Sequence, residues 1–517
     1  MLKELSKLVV LAASSAVVVP YTIAFLANML YGWPRGNRKL HRAFHPQKVY
    51  ALNYSVLQEF TKLRFARLWL QWRSYYGNMF NPFLIKDIPF GTNEQSLDIY
   101  RPEAAGSGPE QQNRLLPVVV FYYGGSWGGG DKSMYCLLCN QLANHLQAIV
   151  VCPNYSTYPR GYVDDMVQDV VDSLMWIEHY APQFGGDKER VMLIGHSAGA
   201  HLALMGILGV TMKRMMHSPH ALMLDEIHSP EGPRPSVPPE ISLRFEDRHF
   251  DGSSESSKNG ATPPLLHLAS DSVFQSLPVG DNGSDNDNGK SSDNSDSFYL
   301  VDKEGSNGEE AAATDKLEQS VEIVNVDEKG DLEKSTEEVK EAKEEKEEDR
   351  EEDEIENEES SELVIEDDDE LTEFQRDIKN IINSVKCVIG LAGVYDIGDH
   401  YEHETMRGVE DLSTMAKAMY GPEHFDRYSP TSIVAALPER TRLPPITLVH
   451  GTTDYIVPVS ASDKFGVCLK EMGCAVINQI RIPECDHYDI CLDLMAPGRP
   501  FHDVLIEIVK REATAYL

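Results

Sequence analysis

The chain has 517 residues, 42% of them apolar, and a formal net charge of −35. That length allows one large α/β domain of about 250–300 residues, with about 150 or more left over. The acidity speaks against nucleic-acid binding, which needs a basic surface. The cysteines (Cys136, Cys139, Cys152, Cys387, Cys468, Cys474, Cys485 and Cys491) form no compact disulfide framework. Cys136-Leu137-Leu138-Cys139 is a lone C-x-x-C without the second pair a zinc site needs, so neither a metal nor a cofactor is expected.

Residues 8–31 carry no charge, and a run of roughly 20 such residues is long enough to cross a bilayer as a helix, here kinked at Pro20. Lys3 and Lys7 precede this run, whereas Arg35, Arg38, Lys39, Arg42 and Lys48 follow it, which places the rest of the chain on the cytosolic side. The reading is a single-pass anchor over residues 1–34. Residues 35–80 mix aromatic side chains with Lys62, Arg64, Arg67 and Arg73. Such a helix either lies among anionic headgroups or caps the following domain and lines its entrance, and the residues alone favour neither.

From residue 81 the apolar pattern alternates between short strands and longer helices. A hairpin at 83–89 and 96–100 leads to a third strand at 116–123, whose unbroken β-branched and aromatic run fits a strand buried on both faces. Helices at 133–146 and 162–180 frame a fourth strand at 148–152, and a fifth follows at 191–194. After the third strand the chain opens into Gly124-Gly125-Ser126-Trp127-Gly128-Gly129-Gly130. After the fifth it turns through Gly195-His196-Ser197-Ala198-Gly199 into a small-residue helix.

A Gly-x-Ser-x-Gly between a buried strand and a helix is the strained turn that lifts a serine hydroxyl above the sheet. A serine needs a histidine base, a carboxylate behind that base and donors for the oxyanion. In this fold the acid and then the histidine follow the serine along the chain. Asp454, at the tip of a strand at 445–450, and His487, in the loop after a strand at 476–482, occupy those places. The expected triad is therefore Ser197, Asp454 and His487, with the amides of Gly124, Gly125 and Ala198 as oxyanion donors. His196 and His450 lie off the expected loop. Asp486 and Asp489 flank His487 too closely to reach its far ring nitrogen, and Asp463 is expected to face solvent.

Residues 214–372 interrupt this domain with a Pro/Ser-rich and then strongly acidic insert. Residues 301–370 alone carry roughly two-thirds of the net charge. So little apolar content cannot offset the entropy of ordering the chain, so a disordered segment is expected, either a spacer or a docking site for a basic protein. The domain resumes at 373–517, with a re-entry helix at 373–383, a sixth strand at 385–392 and a closing helix at 501–514. The fold expected is an α/β-hydrolase with a mostly parallel eight-stranded sheet covered by helices on both faces.

Tyr123-Gly124-Gly125-Ser126-Trp127 resembles the His-Gly-Gly-x-Trp loop of an esterase group that includes kynurenine formamidases, hormone-sensitive-lipase relatives and isoprenylcysteine methylesterases. Residues 162–170, 185–191, 195–202 and 393–396 resemble the same group in the same order. Residues 425–430 and His487-Tyr488-Asp489 are similar to the isoprenylcysteine methylesterase-like branch. Tyr123 stands where the group has histidine, which puts the pocket's shape in question rather than the chemistry. The resemblance implies a small lipophilic ester as substrate, specifically a prenylcysteine methyl ester. With the anchor, it implies an endoplasmic reticulum or Golgi membrane with the domain facing the cytosol. The alternatives are hydrolysis of another acyl compound, or a silent hydrolase-fold scaffold that works through its insert.

Overall fold

The computed structural model describes residues 2–30, 44–103, 114–216, 322–323, 371–438, 441–473 and 477–517. In chain order the main elements begin with helices α1 (Leu2–Leu30), α2 (Pro46–Glu59) and α3 (Ala66–Gly77), with a 3-10 turn, Phe60–Phe65, between the last two. The antiparallel pair β1 (Leu84–Phe90) and β2 (Gln95–Tyr100) follows. Then come β3 (Leu116–Tyr122), α4 (Cys136–Leu146), β4 (Ile149–Pro153), α5 (Val163–Tyr180), β5 (Gly186–His196) and α6 (Ala198–Met216). The two-residue β6 (Glu322–Ile323) lies inside the insert. The remainder is α7 (Glu373–Ser384), β7 (Val385–Leu391), α8 (Ile397–Arg407), β8 (Ile446–Gly451), α9 (Ser460–Glu471), β9 (Ile477–Ile482) and α10 (His502–Tyr516).

All nine strands form one sheet in the order β1-β2-β4-β3-β5-β7-β8-β9-β6. Pairing is parallel from β4 through β9 and antiparallel at β1-β2, β2-β4 and β6-β9. The expected eight-stranded, mostly parallel sheet is thus corrected to a mixed sheet, with eight longer strands and a short ninth at its edge. That ninth strand comes from the insert, where Glu322 and Ile323 pair with Arg481 and Ile480. Residues 217–321 and 324–370 of the insert, which hold the acidic run, and Cys474 lie outside the described residues.

Strands β4 and β8 are buried along their whole length, as strands covered on both faces must be. Helices α5, α6, α7 and α9 pack on one face, with α4 and α10 on the other. The α5 face shows the expected apolar stripe, including Met166, Val167, Val170, Val171 and Leu174, all buried. Capping also follows from sequence: the Thr372 hydroxyl accepts the Gln375 N–H and the Gln375 side chain returns to the Thr372 N–H, which starts α7.

The N-terminal segment needs the largest correction. Residues 8–30 are helical, but among the described residues no helix is long and apolar enough to cross a membrane. Part of α1 packs against protein. Ala24 is buried with Val49 and Leu52 of α2 in a small separate core, and the Asn53 amide donates to the Pro20 carbonyl at 3.0 Å. The Ser55 hydroxyl of α2 in turn donates to the carbonyl of Arg407 on α8 at 3.0 Å. Tyr75 of α3 donates to Asn140 of α4 at 2.9 Å. The described residues of the 35–80 segment therefore pack on the domain as a cap.

Candidate active site

Strand β5 ends at His196, and the chain reverses at Ser197, which takes the left-handed conformation with φ 53° before α6 begins at Ala198. The Ser197 N–H donates to the Leu391 carbonyl on β7 at 2.9 Å, fixing the turn to the sheet. Close approach explains the flanking glycines. A Cβ on Gly199 would stand 2.1 Å from the Tyr122 carbonyl oxygen, and one on Gly195 would stand 2.4 Å from the Ala200 Cα.

The structure brings the three expected residues together from three strand ends. His487 Nε2 lies 3.0 Å from the Ser197 hydroxyl, and His487 Nδ1 lies 2.7 Å from Asp454 Oδ2. A carboxylate only accepts, so Nδ1 carries the proton and Nε2 is left to accept from the serine. Asp454 is held in turn: its Oδ1 accepts the N–H groups of Ile456 and Val457, each at 2.8 Å. Burial pushes the Asp454 carboxyl up, but the imidazoles of His487 and His450 outweigh it and hold the group well below the usual carboxylate range. Its side chain is wholly shielded from solvent.

Gly124 and Gly125 line the same cavity as Ser197 and His487. The Ser197 carbonyl accepts from Ala200 and His201 along α6. In a trans peptide the N–H opposes the C=O, so the Ala198 N–H points back toward the serine, at the positive end of the helix. The loop is fixed from behind. The Trp127 indole donates to His201 Nδ1 at 3.1 Å, and His201 Nε2 donates to the Tyr428 carbonyl at 2.7 Å. Burial pushes the His201 pKa down to about 4, in keeping with a neutral ring that accepts on one nitrogen and donates on the other.

The weighed alternatives fall elsewhere. Asp486 and Asp489 engage Arg64 at 2.6 and 3.0 Å, and Asp463 pairs with Arg481 at 2.8 Å on the surface. His450 is no base for the serine, yet its Nε2 lies 3.4 Å from Asp454, a supporting contact that the sequence does not signal. His196 Nε2 donates to the His487 carbonyl at 3.0 Å, bracing the loop that carries His487. Burial, with the neighbouring His487 ring, pushes the His196 pKa down to about 3. A cleft of about 810 Å³, its mouth included, opens over the serine. Phe65, Leu68, Trp69 and Trp72 from the N-terminal cap line it, together with Met134, Leu492 and Met495. Lys62 sits in this lining over the Tyr488 ring and pairs with Glu59 at 2.5 Å. Among the described residues no cluster could hold a metal ion.

Comparison with known proteins places residues 97–227 in the BD-FAE family model. The chain is 34% identical over 139 residues to the probable isoprenylcysteine alpha-carbonyl methylesterase ICMEL1 of Arabidopsis thaliana, covering 27% of this chain and 28% of that protein. It is also 34% identical over 122 residues to the kynurenine formamidase of Danio rerio, covering 23% of this chain and 38% of that one. The matches thus span only about three or four tenths of the curated relatives' lengths. Among solved structures, an esterase of Pyrobaculum calidifontis aligns over 88% of this chain and 92% of its own, with a TM-score of 0.44 and 13% identity. The sheet order and the serine turn are those of an α/β-hydrolase fold, and part of the chain is similar to the methylesterase and formamidase relatives named above.

Proposed function

We propose that the protein is a serine carboxylic ester hydrolase acting on lipophilic esters, with prenylcysteine methyl esters as the first candidates. The observation that carries this is the continuous hydrogen-bond chain Ser197–His487–Asp454 beneath two glycine amides, at the floor of an aromatic-walled cleft. Ser197 Oγ attacks the ester carbon and its proton passes to His487 Nε2. The Gly124, Gly125 and Ala198 amides take the oxyanion. Collapse expels the alcohol, which receives that proton, and water activated by the same histidine then releases the acid and restores the serine.

The apolar wall favours an apolar chain on the substrate, and the methylesterase relatives suggest which one. The test is release of acid from farnesylcysteine methyl ester, with simple aryl acyl esters as comparators and Ser197→Ala alongside. Serine-dependent turnover that favours the prenyl ester is expected. Turnover of aryl esters alone would leave the hydrolase reading standing and remove the substrate.

We further propose that the enzyme rests at the surface of an endoplasmic reticulum or Golgi membrane. Its support is the set of large apolar side chains left on the surface of α1 and the cap: Phe25 is 53% exposed, Leu57 62%, Phe60 60% and Leu63 56%. The protein is expected to float with phosphatidylcholine/phosphatidylserine vesicles, and a Phe60→Ser/Leu63→Ser variant to float less. Wild-type protein that stays wholly in the soluble fraction would end this part of the reading.

A further inference from the structure

Tyr123, which stands where the resembling esterases have histidine, is the middle ring of three. It stacks on Tyr135 with centroids 5.4 Å apart and planes 10° from parallel, and on Tyr155 with centroids 4.7 Å apart and planes 24° from parallel. Its own hydroxyl donates to Asn154 Oδ1 at 2.8 Å, and the same oxygen accepts the Lys132 N–H at 2.8 Å. The two outer rings do something different with their hydroxyls. Tyr155 donates to the carbonyl of Tyr123 at 2.8 Å, and Tyr135 makes a longer contact with the carbonyl of Gly124 at 3.4 Å. All three rings are buried.

These are the two carbonyls whose peptide planes carry the N–H groups of Gly124 and Gly125. In a planar trans peptide the N–H points opposite to the C=O. A hydroxyl that anchors the carbonyl on the tyrosine side therefore aims the amide at the other side, and Gly124 on that side abuts Ser197: a Cβ there would stand 2.9 Å from the Ser197 Cβ. Glycine backbone is otherwise the most freely rotating in the chain, so two consecutive glycine amides need an external constraint to stay aimed before substrate arrives.

We propose that the three-tyrosine stack is the positioning device of the oxyanion hole, with the Tyr155 hydroxyl orienting the Gly124 amide and the Tyr135 hydroxyl assisting at Gly125. Tyr123 holds the two outer rings at the spacing this requires. The stack touches no substrate through Tyr155; it acts through the amides. This rests on the reading of Ser197 as the nucleophile.

The discriminating variant is Tyr155→Phe, which keeps the ring and the stack and removes only the hydroxyl. Loss of one oxyanion donor costs about 10²–10³ in rate, and loss of its aim alone is expected to lower kcat by about tenfold or more. KM should change little. The affinity for an aryl trifluoromethyl ketone, whose serine adduct bears the same oxyanion, should fall by a similar factor. Tyr122→Phe is the comparator: it also removes a buried hydroxyl bond, to Ser173 at 2.8 Å, on a residue outside the site. That variant should lose stability and keep kcat. If Tyr155→Phe behaves like Tyr122→Phe, destabilised but with unchanged kcat and ketone affinity, the positioning role is wrong. If wild-type protein neither hydrolyses an aryl ester nor binds the ketone, the nucleophile reading itself has failed, and this inference goes with it.

Discussion

Asp454→Asn is expected to lower kcat by about 10⁴ while leaving the fold in place. In the native site Asp454 Oδ2 accepts from His487 Nδ1 at 2.7 Å, which leaves Nε2 bare toward the serine. An asparagine amide can present its N–H to Nδ1, and the imidazole then carries its proton on Nε2, where it cannot accept from Ser197. Esterase kinetics at neutral pH check the rate. The carboxylate also leaves a mark on stability. Its folded pKa is held below the ordinary value, so its contribution is fully present above the ordinary carboxylate range and is lost as pH falls through that range toward the depressed value. Denaturant titrations at neutral and at acidic pH should show this loss in wild type and not in Asp454→Asn. A variant with near-native kcat would remove Asp454 from the catalytic chain.

Gly124→Ala is the second large effect, and its cause is steric. The added methyl would lie 2.9 Å from the Ser197 Cβ and 2.9 Å from His196 Nδ1, closer than real Cβ atoms come. Neither neighbour can retreat cheaply. Ser197 is pinned in its left-handed conformation by the bond to Leu391, and the His196 ring is tied to the His487 carbonyl. The loop must therefore lift, taking the Gly124 amide off the oxyanion. A fall of about 10²–10³ in kcat is expected, with a stability loss of about 1–3 kcal/mol from the overpacking. Single-turnover acylation with an aryl ester and thermal melts separate the two effects. Acylation within about threefold of wild type would mean that this amide is not an oxyanion donor.

The parts of the site that were legible in the sequence are those that chemistry forces into local patterns. A serine turn needs glycines at fixed offsets, and strand ends announce themselves as apolar runs that stop at Gly or Pro. Ser197, Asp454 and His487 could thus be placed by chain order alone. What the sequence hid is held by contacts between residues far apart in the chain. His201 reaches Tyr428, and the Tyr155 hydroxyl finds a carbonyl 32 residues away. Neither of these has a period or a spacing. The N-terminal helix misled for the opposite reason: its local pattern is strong, and hydropathy does not reveal that Ala24 packs against Val49 and Leu52. The edge strand Glu322–Ile323 has too few residues to show any alternation against the acidic run around it.

The cleft has three owners. The serine turn and the glycine loop belong to the stretch that the family model covers from residue 97, His487, Leu492 and Met495 come from far downstream of it, and the aromatic wall comes from residues 65–72, upstream of it. On the proposed reading, the wall from residues 65–72 selects the ester while Ser197 and His487 break its bond, so the two tasks are free to change at different rates. Two such proteins can agree residue for residue around the serine and still select different esters. Kinship read from the floor therefore identifies the reaction sooner than it identifies the molecule on which the reaction is performed.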